Sequence, residues 1–510
     1  MGKTALYLGY FCIYSTILLI IGKSGMHGSS TPRDYFICER KVPLFLCVCT
    51  FTGTWVSAIT ILSLTGSVYE NGLAVLFYAV IPWFLGAFLL ALVTKRLYRS
   101  AAITVPEMFR LRYGSAALQC AYGIVLIIVY LFYLVAQYKG FGMVASALFR
   151  IPYPVAVCMV YLFITYTTIG GYRSVLRTDV FNLVLLSVSL LLVCGSFVSK
   201  AGGFSALYRS AAAIEGYAHA GLAAPTGRGA LLRLFNDRYT PLISLSMFWG
   251  WGLGLASNPQ YLVRLLSARD SKAAGHTIVL SLLILTVLYF ALVHIGLSMR
   301  VLVPHIPAEE TTDGIFIRLI NHELYGPWSG FFFFSVIGAC ISTANSQLLL
   351  IASSFAYDVL QPLSAGKISE RQIVSAARKS VLGAGTVVML LTLNPPSFTL
   401  SYGGDLWGIV AILLFPALYG SILSKRITRR GVWCSLAVGT AAIAVFYPLH
   451  AMGRIPVHPA LFGVLLSSAA LMIGSATGRG DTGTVDLSAA GTHETVQTEY
   501  ATLTRKEDAG

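Results

Sequence analysis

The chain has 510 residues, of which 56% are hydrophobic and only 11% are charged, and its mean hydropathy is +0.74. A soluble protein of this length needs a charged surface of roughly a quarter of its residues, so the composition excludes a set of soluble domains. The net charge of +15 could indicate nucleic-acid binding. However, the basic residues are spread over short loops, which favours membrane topology and argues against a nucleic-acid partner.

Apolar runs long enough to cross a bilayer, roughly 20 residues each, recur along nearly the whole sequence. They predict an all-α polytopic membrane protein embedded in the lipid bilayer, with about 13 transmembrane helices. The predicted spans are 5–22, 43–69, 72–94, 117–138, 151–169, 180–199, 240–258, 274–299, 327–357, 376–393, 397–424, 431–449 and 458–475. Only Lys3 precedes the first run and no small-residue cleavage site follows it, so we interpret it as a retained span.

Lysine and arginine are concentrated in alternate loops, beginning with the loop at 23–41. The positive-inside rule places these loops in the cytoplasm, the N-terminus outside and the C-terminus inside. The long connections at 200–239 and 300–326 are then external. The polar tail 478–510 is predicted to be a disordered cytoplasmic segment. The absence of a glycosylation sequon points to a bacterial inner (cell) membrane.

Two stretches of five spans each, 43–199 and 240–424, have comparable layouts. Because five is odd, the second stretch has the opposite orientation to the first, which is the arrangement of inverted-repeat carriers. Residues 1–42 then form an extra helix and a cytoplasmic loop, 200–239 an external loop, and 425–477 two C-terminal helices. In such carriers the binding site lies at the midplane, where the first helix of each repeat is broken.

The first span of each repeat contains residues that weaken a helix. The segment 49–58 holds four hydroxyl residues and Gly53, and unwinding inside a membrane is tolerated only where the chain lines a cavity. Close helix packing by small residues is the alternative interpretation of this segment. The segment 249–260 has a run of alternate glycines followed by Asn258-Pro259, which favours a broken helix.

A third polar run, 339–347, lies within an otherwise apolar span. The hydroxyls of Ser342 and Thr343 could converge on one ion with the carbonyl of Ala339, one turn earlier. Several neutral oxygens suit a hard monovalent cation without burying a fixed charge. The alternative is that these hydroxyls bond back to the preceding helical turn.

The remaining polar residues in the spans give weaker signals. Asp405 is a functional candidate if it lies in the membrane, but it could also lie at the edge of a loop. His294 is expected to be a packing residue. The sequence contains no phosphate-binding loop, HExxH, GxSxG or paired CxxC, so no enzyme is predicted. The nine cysteines suggest no disulfide framework.

Four motifs, in this order, resemble those of the sodium:solute symporter family over roughly residues 30–475. They are Asp34-Tyr35-Phe36 with Glu39-Arg40; Gly170-Gly171-Tyr172-Arg173 with Thr178-Asp179; Pro259-Gln260-Tyr261-Leu262-Val263-Arg264 with Ala268-Arg269-Asp270-Ser271-Lys272; and Ser342-Thr343-Ala344-Asn345-Ser346-Gln347-Leu348-Leu349 with Asp358. The resemblance implies two inverted five-helix repeats, as in the bacterial leucine transporter.

The resemblance also implies a set of site residues. The sodium ligands would be the carbonyls of Gly53, Val56 and Ala339 and the hydroxyls of Ser342 and Thr343. The substrate-binding residues would be Thr54, Trp55, Ser57, Tyr133, Gln137, Trp251, Pro259 and Tyr402. Coupling or gating would involve Arg40, Asp179 and Asp405.

Two departures from the family pattern concern ion coupling (Trp55) and the substrate (Leu255). Bacterial proline symporters carry an aspartate at the position of Trp55 and an aromatic residue at that of Leu255. Gln137, the turn at 394–396 and the segment 402–404 resemble pantothenate permeases, whereas Tyr133 resembles the proline branch. The expected solute is therefore a pantothenate-like carboxylate, another monocarboxylate or a proline-like amino acid.

The resulting hypothesis is sodium-coupled symport of a small organic solute by alternating access, with Na⁺ as coupling ion and no organic cofactor. The protein is expected to act as a monomer. Proton coupling through Asp405 or His294 is the alternative carrier mechanism. A non-transporting sensor module is the other alternative, although the tail after Gly478 is too short for a signalling kinase.

Overall fold

A computed structural model of the chain describes residues 2–25, 31–100, 102–215, 227–306, 312–323, 325–326, 329–364, 367–395 and 400–478. Within these ranges the regular structure is helical, and the only β pairing is an isolated parallel bridge between Val42 and Ala268. The predicted all-α fold is confirmed. The predicted disordered tail, apart from its first residue, and Pro396 of the turn at 394–396 lie outside the described residues.

The N-terminal half contains ten helices. They are α1 Lys3–Gly25, α2 Pro32–Ile37, α3 Leu44–Trp55, α4 Ile59–Asn71, α5 Leu76–Arg99, α6 Val105–Tyr113, α7 Ala116–Phe149, α8 Tyr153–Ile169, α9 Tyr172–Lys200 and α10 Phe204–Ala213.

The C-terminal half contains nine more. They are α11 Pro241–Ser257, α12 Pro259–Ser267, α13 Ser271–Leu302, α14 Thr312–Arg318, α15 Ser329–Leu363, α16 Glu370–Thr392, α17 Leu400–Leu423, α18 Arg429–Ala451 and α19 Ala460–Thr477. A π-helical turn, Leu319–Glu323, extends α14, and another, Ser354–Leu360, lies near the end of α15.

Among the described residues, ten helices are long and apolar enough to cross a membrane, or eleven if α3 and α4 form one bent span. The chain is therefore a multi-pass membrane protein. Two further predicted spans correspond to α8 and α11, which have 17 residues each and are shorter than the roughly 20 that a crossing requires. The predicted number of thirteen spans is not confirmed.

The two halves of the core contain corresponding elements. Each begins with a helix broken in its middle: α3–α4 in the first half and α11–α12 in the second. A long helix follows later in each half, α7 and α15, and these two pack against each other. The segments flanking the broken helices are also joined, because Val42 accepts from Arg269 N at 3.0 Å and donates to Ser267 O at 3.2 Å. The exact boundaries of the repeats remain a prediction.

The connections predicted to be external contain ordered structure. Helix α10 lies in the connection at 200–239, and Leu231 of the same connection accepts a hydrogen bond from Leu73 N at 2.8 Å. Helix α14 lies across α4, where Asp313 is 3% exposed beside Ser63 and Lys139. On the side predicted to be external, α14 thus contacts α4, and Leu231 bonds to Leu73, just after the end of α4.

Candidate functional site

The first broken helix changes direction at residues 56–58. Helix α3 ends at Trp55, Val56 is extended (φ −85°, ψ 106°), and α4 continues at an angle of 56°. The amide of Ser57 donates to the Thr60 hydroxyl at 3.2 Å, and the amide of Thr60 donates to the Ser57 hydroxyl at 3.4 Å. In a continuous helix these two amides would donate to the carbonyls of Gly53 and Val56. The break therefore leaves both predicted carbonyl ligands without their helical donors.

The second break depends on a side-chain cap. Asn258 is extended between α11 and α12, and its Oδ1 accepts from Gln260 N at 3.0 Å. Pro259 occupies the first position of α12, where its missing amide hydrogen costs no hydrogen bond. Tyr130 of α7 also donates to Asn258 Oδ1. The Asn-Pro pair thus ends one helix and starts the next, as the sequence predicts.

The polar run at 339–347 lies within a continuous stretch of α15. Within it, the hydroxyls of Ser342 and Thr343 do not bond back to their own helix. Ser342 donates to Asp179 Oδ1 at 2.6 Å, and Thr343 donates to the carbonyl of Thr54 at 3.3 Å. Both bonds cross to other helices, which argues against the back-bonding alternative. Ala339, one turn earlier, is 1% exposed.

Asp179 of α9 lies at the centre of these contacts and is fully buried. Besides the Ser342 hydroxyl it accepts the hydroxyl of Thr50 from α3. A Cβ atom added to Gly53 would lie 3.2 Å from Ser342 Oγ and 3.6 Å from the Asp179 carbonyl, so α3, α9 and α15 approach closely here. The structure thus places Gly53 beside Ser342 and Asp179. It also places the Thr343 hydroxyl against the carbonyl of Thr54, the next residue of α3.

Arg264 was expected in a cytoplasmic loop but lies on α12, where it is 2% exposed. Its Nε donates to the carbonyl of Thr50 at 3.2 Å, its Nη1 to the carbonyl of Gln260 at 2.6 Å, and its Nη2 to Ser346 Oγ. It also lies 4.0 Å from Asp179 Oδ2. One guanidinium therefore joins both broken helices to α15. Its place in the Pro-x-x-x-x-Arg motif was the sequence signal for this role.

Seven aromatic rings fill the space beside the two breaks, and we call them the aromatic cluster. They are Trp55, Trp83, Tyr133, Trp251, Tyr261, Tyr289 and Trp407, each at most 5% exposed. Ring centroids are 5.0 Å apart for Trp55–Tyr261, 5.2 Å for Trp83–Trp251 and 5.5 Å for Trp251–Trp407. Three of the predicted substrate-binding residues belong to this cluster. Trp83, Tyr261, Tyr289 and Trp407 were not predicted.

The polar residues next to the aromatic cluster include three more predicted substrate-binding residues. Gln137 Oε1 accepts from the amide of Ala58 at 3.2 Å, which joins α7 to the first break. Thr54 Oγ1 lies 2.6 Å from Ser346 Oγ, on the Asp179 side of the break. The hydroxyl of Ser57 lies 3.4 Å from that of Thr60.

Three predicted residues lie in other surroundings. Tyr402 donates to the carbonyl of Phe132 at 2.8 Å. The side chain of Asp405 is 40% exposed and its Oδ1 lies 3.2 Å from His458 Nε2. Arg40 donates to the carbonyls of Tyr98 and Ala102, both at 2.8 Å, in the segment before α3. None of the hydrogen bonds or ion pairs described for Asp405 or Arg40 reaches the residues around Asp179.

A cavity of about 650 Å³ lies elsewhere, between α7, α8 and α14. Its lining residues include Met143, Tyr153, Arg318 and His322, and no predicted site residue is among those described. The described residues also contain no cluster of three or more His, Cys, Asp or Glu side chains that could hold a metal ion. Any bound cation at the first break would therefore depend mainly on carbonyl and hydroxyl oxygens.

Comparison with known proteins agrees with this architecture. The model of the sodium:solute symporter family matches residues 35–439. The osmoregulated proline transporter OpuE of Bacillus subtilis (strain 168) is 25% identical over 475 residues, covering 90% of this chain and 92% of that protein. A sodium/proline symporter of Staphylococcus aureus (strain JH9) is also 25% identical, covering 85% of this chain and 84% of that protein.

Two solved structures share the fold. A Na⁺-coupled sialic acid symporter in a substrate-bound, outward-open state aligns with a TM-score of 0.73 at 17% identity, covering 95% of this chain and all of that one. A nucleobase-cation-symport-1 family transporter in a closed conformation aligns with a TM-score of 0.56 at 14% identity, covering 91% and 99%. The inverted-repeat fold is therefore confirmed, and the chain belongs to the sodium:solute symporter family.

Proposed function

We propose that the protein is a sodium-coupled secondary active symporter that imports a small organic solute by alternating access. The observation that carries this proposal is the set of oxygen atoms where α3 breaks against α15. The carbonyls of Gly53 and Val56 lack their helical donors, and the hydroxyls of Ser342 and Thr343 point across to neighbouring helices. With the carbonyl of Ala339 these would form the sodium site.

The hydrogen-bond directions suit a cation. A serine hydroxyl that donates its hydrogen to Asp179 keeps two oxygen lone pairs for a metal ion. The buried carboxylate contributes negative charge beside this oxygen, and Arg264, 4.0 Å away, balances part of it. A sodium ion held by oxygens of both α3 and α15 would stabilise contact between these helices. This contact would in turn shape the adjacent aromatic cluster for the solute.

The sodium gradient would drive uptake, since each charge moved across the membrane gains about 2.3 kcal/mol per 100 mV. The relatives, a sodium/proline symporter among them, support this coupling. Proton coupling has less support, because His294 bonds to Tyr208 at 3.1 Å and to the carbonyl of Phe290, while Asp405 lies beside His458. The protein would act without an organic cofactor and without an enzymatic step, as a monomer in the cell membrane, with the N-terminus outside and the C-terminus in the cytoplasm.

Uptake by proteoliposomes tests the coupling. With proline, pantothenate and short carboxylates as solutes, accumulation of at least one should require an inward sodium gradient and disappear when that gradient is collapsed. The double variant Ser342→Ala, Thr343→Ala should lose the sodium response. Ser335→Ala is the matched control, because this buried hydroxyl of the same helix bonds only to its own helix, at Phe332 O. Uptake that is indifferent to sodium, or unchanged in the double variant, would show that the coupling mechanism is wrong.

A further inference from the structure

His458 lies in the connection before α19, outside both predicted repeats, yet its ring is wedged between α11 and α17 and is 5% exposed. A Cβ atom added to Gly250 of α11 would lie 3.3 Å from the ring, and one added to Gly408 of α17 only 2.7 Å from it. The amide of His458 also donates to Ser246 Oγ of α11 at 2.8 Å. The ring therefore fills a space that a glycine leaves open on each helix. We call the contact between α11 and α17 at Ser246, Gly250 and Gly408 the outer seam.

The outer seam lies directly beside the aromatic cluster. Gly250 precedes Trp251 and Gly408 follows Trp407, and the centroids of these two rings are 5.5 Å apart. Both rings are at most 4% exposed, so a solute can enter the space between them only if α11 and α17 separate. His458 contacts both helices on the side predicted to be external, from which a solute would arrive. Its ring therefore lies where it can limit this separation.

The hydrogen bonds of the ring fit its neutral form. Nδ1 accepts the amide hydrogen of Ala460, at the start of α19, at 3.2 Å. An accepting nitrogen carries a lone pair, so the tautomer that fits has its hydrogen on Nε2. Nε2 lies 3.2 Å from Oδ1 of Asp405, but the two are not aligned for a hydrogen bond. The neutral ring is thus held by α19 and only approaches the carboxylate.

Few charged or titratable groups face this ring. Asp405 is the one on α17, and α18 contributes Tyr447 and His450, with ring centroids 6.0 and 6.1 Å from that of His458. Helices α11 and α19 contain no titratable residue. Tyr447 also donates to the carbonyl of Asp405 at 2.9 Å, which holds α18 against α17. The charge of His458 is therefore sensed mainly by Asp405.

Protonation would change the contacts of the ring. A charged ring also has a hydrogen on Nδ1, which would face the amide hydrogen of Ala460 and end that bond. The charge would lie at the N-terminus of α19, where the helix dipole disfavours it, in a position closed to water. Asp405, whose side chain is 40% exposed, offers the charged ring a partner nearer the surface. All these effects move the charged ring in one direction, out of the outer seam and toward Asp405.

We propose that His458 is a positioning residue for solute entry, and that its protonation from the external side releases the outer seam. The neutral ring holds α11, α17 and α19 together, and the charged ring leaves this position, so that α11 and α17 separate more readily. Histidine is the side chain that ordinarily changes charge between about pH 5 and 8. The proton acts here as a regulator and is not carried across the membrane. This inference rests on the proposed function, because the seam leads to the aromatic cluster where the solute would bind.

The test measures access to the seam and involves no transport. Ser246→Cys changes one atom of a fully buried side chain in the outer seam. The rate at which a membrane-impermeant maleimide labels this cysteine is measured in right-side-out vesicles, and peptide mass spectrometry separates the site from the native cysteines. The same reporter is combined with His458→Asn, which keeps an acceptor at the position of Nδ1 at every pH. The ratio of the two rates at each pH cancels the pH dependence of the thiol itself.

This ratio, His458 protein over His458→Asn, should rise about fivefold or more between about pH 7.5 and about pH 5.5, because the charged fraction of a histidine increases about tenfold over this interval. His450→Asn is the matched control, since His450 lies beside His458 but bonds to Ile455 O of its own connection, and it should keep the rise. Asp405→Asn should move the midpoint of the rise to lower pH, because the carboxylate that favours the charged ring is gone.

A ratio that does not change with pH, a rise that His450→Asn abolishes, or a midpoint that Asp405→Asn leaves in place would each overturn the proposal. The comparison of Asp405→Asn with the wild type needs no His458 variant, so it decides the question even if His458→Asn does not fold. Because labelling requires neither sodium nor solute, the two proposals fail separately. Sodium-independent uptake with an intact seam response would overturn symport alone, and sodium-dependent uptake without a seam response would overturn this inference alone.

Discussion

Arg264 provides the sharpest test of how the two breaks are held together. The side chain crosses from α12 to α3 at the carbonyl of Thr50 and to α15 at Ser346. A small cavity of about 20 Å³ lies beside it, and Ser353, which lines that cavity, is only 6% exposed. The end of the bundle predicted to face the cytoplasm is therefore closed. We expect Arg264→Lys to open it, because lysine keeps the charge beside Asp179 but loses the planar fork.

The size of the effect follows from the hydrogen bonds. A hydrogen bond that involves a charged group contributes about 1.5–3 kcal/mol. A single ammonium group cannot reproduce both cross-helix contacts, so we expect at least one to be lost. The balance between closed and open forms should then move by about 2 kcal/mol, roughly thirtyfold in population.

For the assay, Ser353 is replaced by cysteine in each variant. The rate at which a membrane-impermeant maleimide labels this cysteine is then measured in inside-out vesicles. Peptide mass spectrometry separates this site from the nine native cysteines. Arg264→Lys should accelerate labelling by up to about thirtyfold. Arg112→Lys is the control, because Arg112 is equally buried and bonds to Ser424 O at 2.7 Å, away from both breaks. Equal labelling rates in the two variants would refute the inference that Arg264 holds both broken helices against α15.

Three other substitutions, one of them paired with a control, should have separable effects. Asp179→Asn should raise the sodium concentration for half-maximal uptake at least about tenfold, measured in proteoliposomes, because two hydroxyls lose a charged acceptor. Gly254→Ala should lower the thermal unfolding midpoint, since the new Cβ would lie 2.3 Å from the carbonyl oxygen of Trp407. Gly195→Ala should leave this midpoint unchanged, because there is open space around Gly195. Burial raises the pKa of Asp313 from 3.8 to about 7, so stability should fall as pH rises between these values, and Asp313→Asn should remove that slope.

The two breaks could be predicted because their causes are local. Asn258-Pro259 ends α11, whose alternate glycines remain helical, and the Asn258 cap in the structure shows how the new helix starts. The polar run around Ser342 also indicated a special position. In the structure the run is part of a continuous helix, which is stabilised in part by the Ser346 hydroxyl donating to the Ser342 carbonyl at 2.8 Å.

The residues that sequence reasoning missed depend on contacts between distant segments. Arg264 was counted among loop charges, because no local pattern shows that α3 and α15 surround it. Trp83 and Tyr289 lie in spans with no polar signal, yet their rings are 5.0 Å apart and complete the aromatic cluster. Asp405 was expected to take part in coupling or gating, either within the membrane or at a loop edge, and α17 places it beside His458. Helix rotation and tilt decide these positions, and hydropathy specifies neither.

The proposed coupling of ion and solute would act through consecutive residues at one helix end. The carbonyl of Thr54 accepts the Thr343 hydroxyl, on the side of Asp179, and the ring of the next residue, Trp55, contacts Tyr261 in the aromatic cluster. The carbonyl of Trp55 also accepts the Thr60 hydroxyl at 3.4 Å, which joins it to the start of α4. A cation that fixes the last turn of α3 against α15 therefore fixes the position of the Trp55 ring. The proposed coupling would then require no long pathway, because ion and solute would order the same turn of backbone.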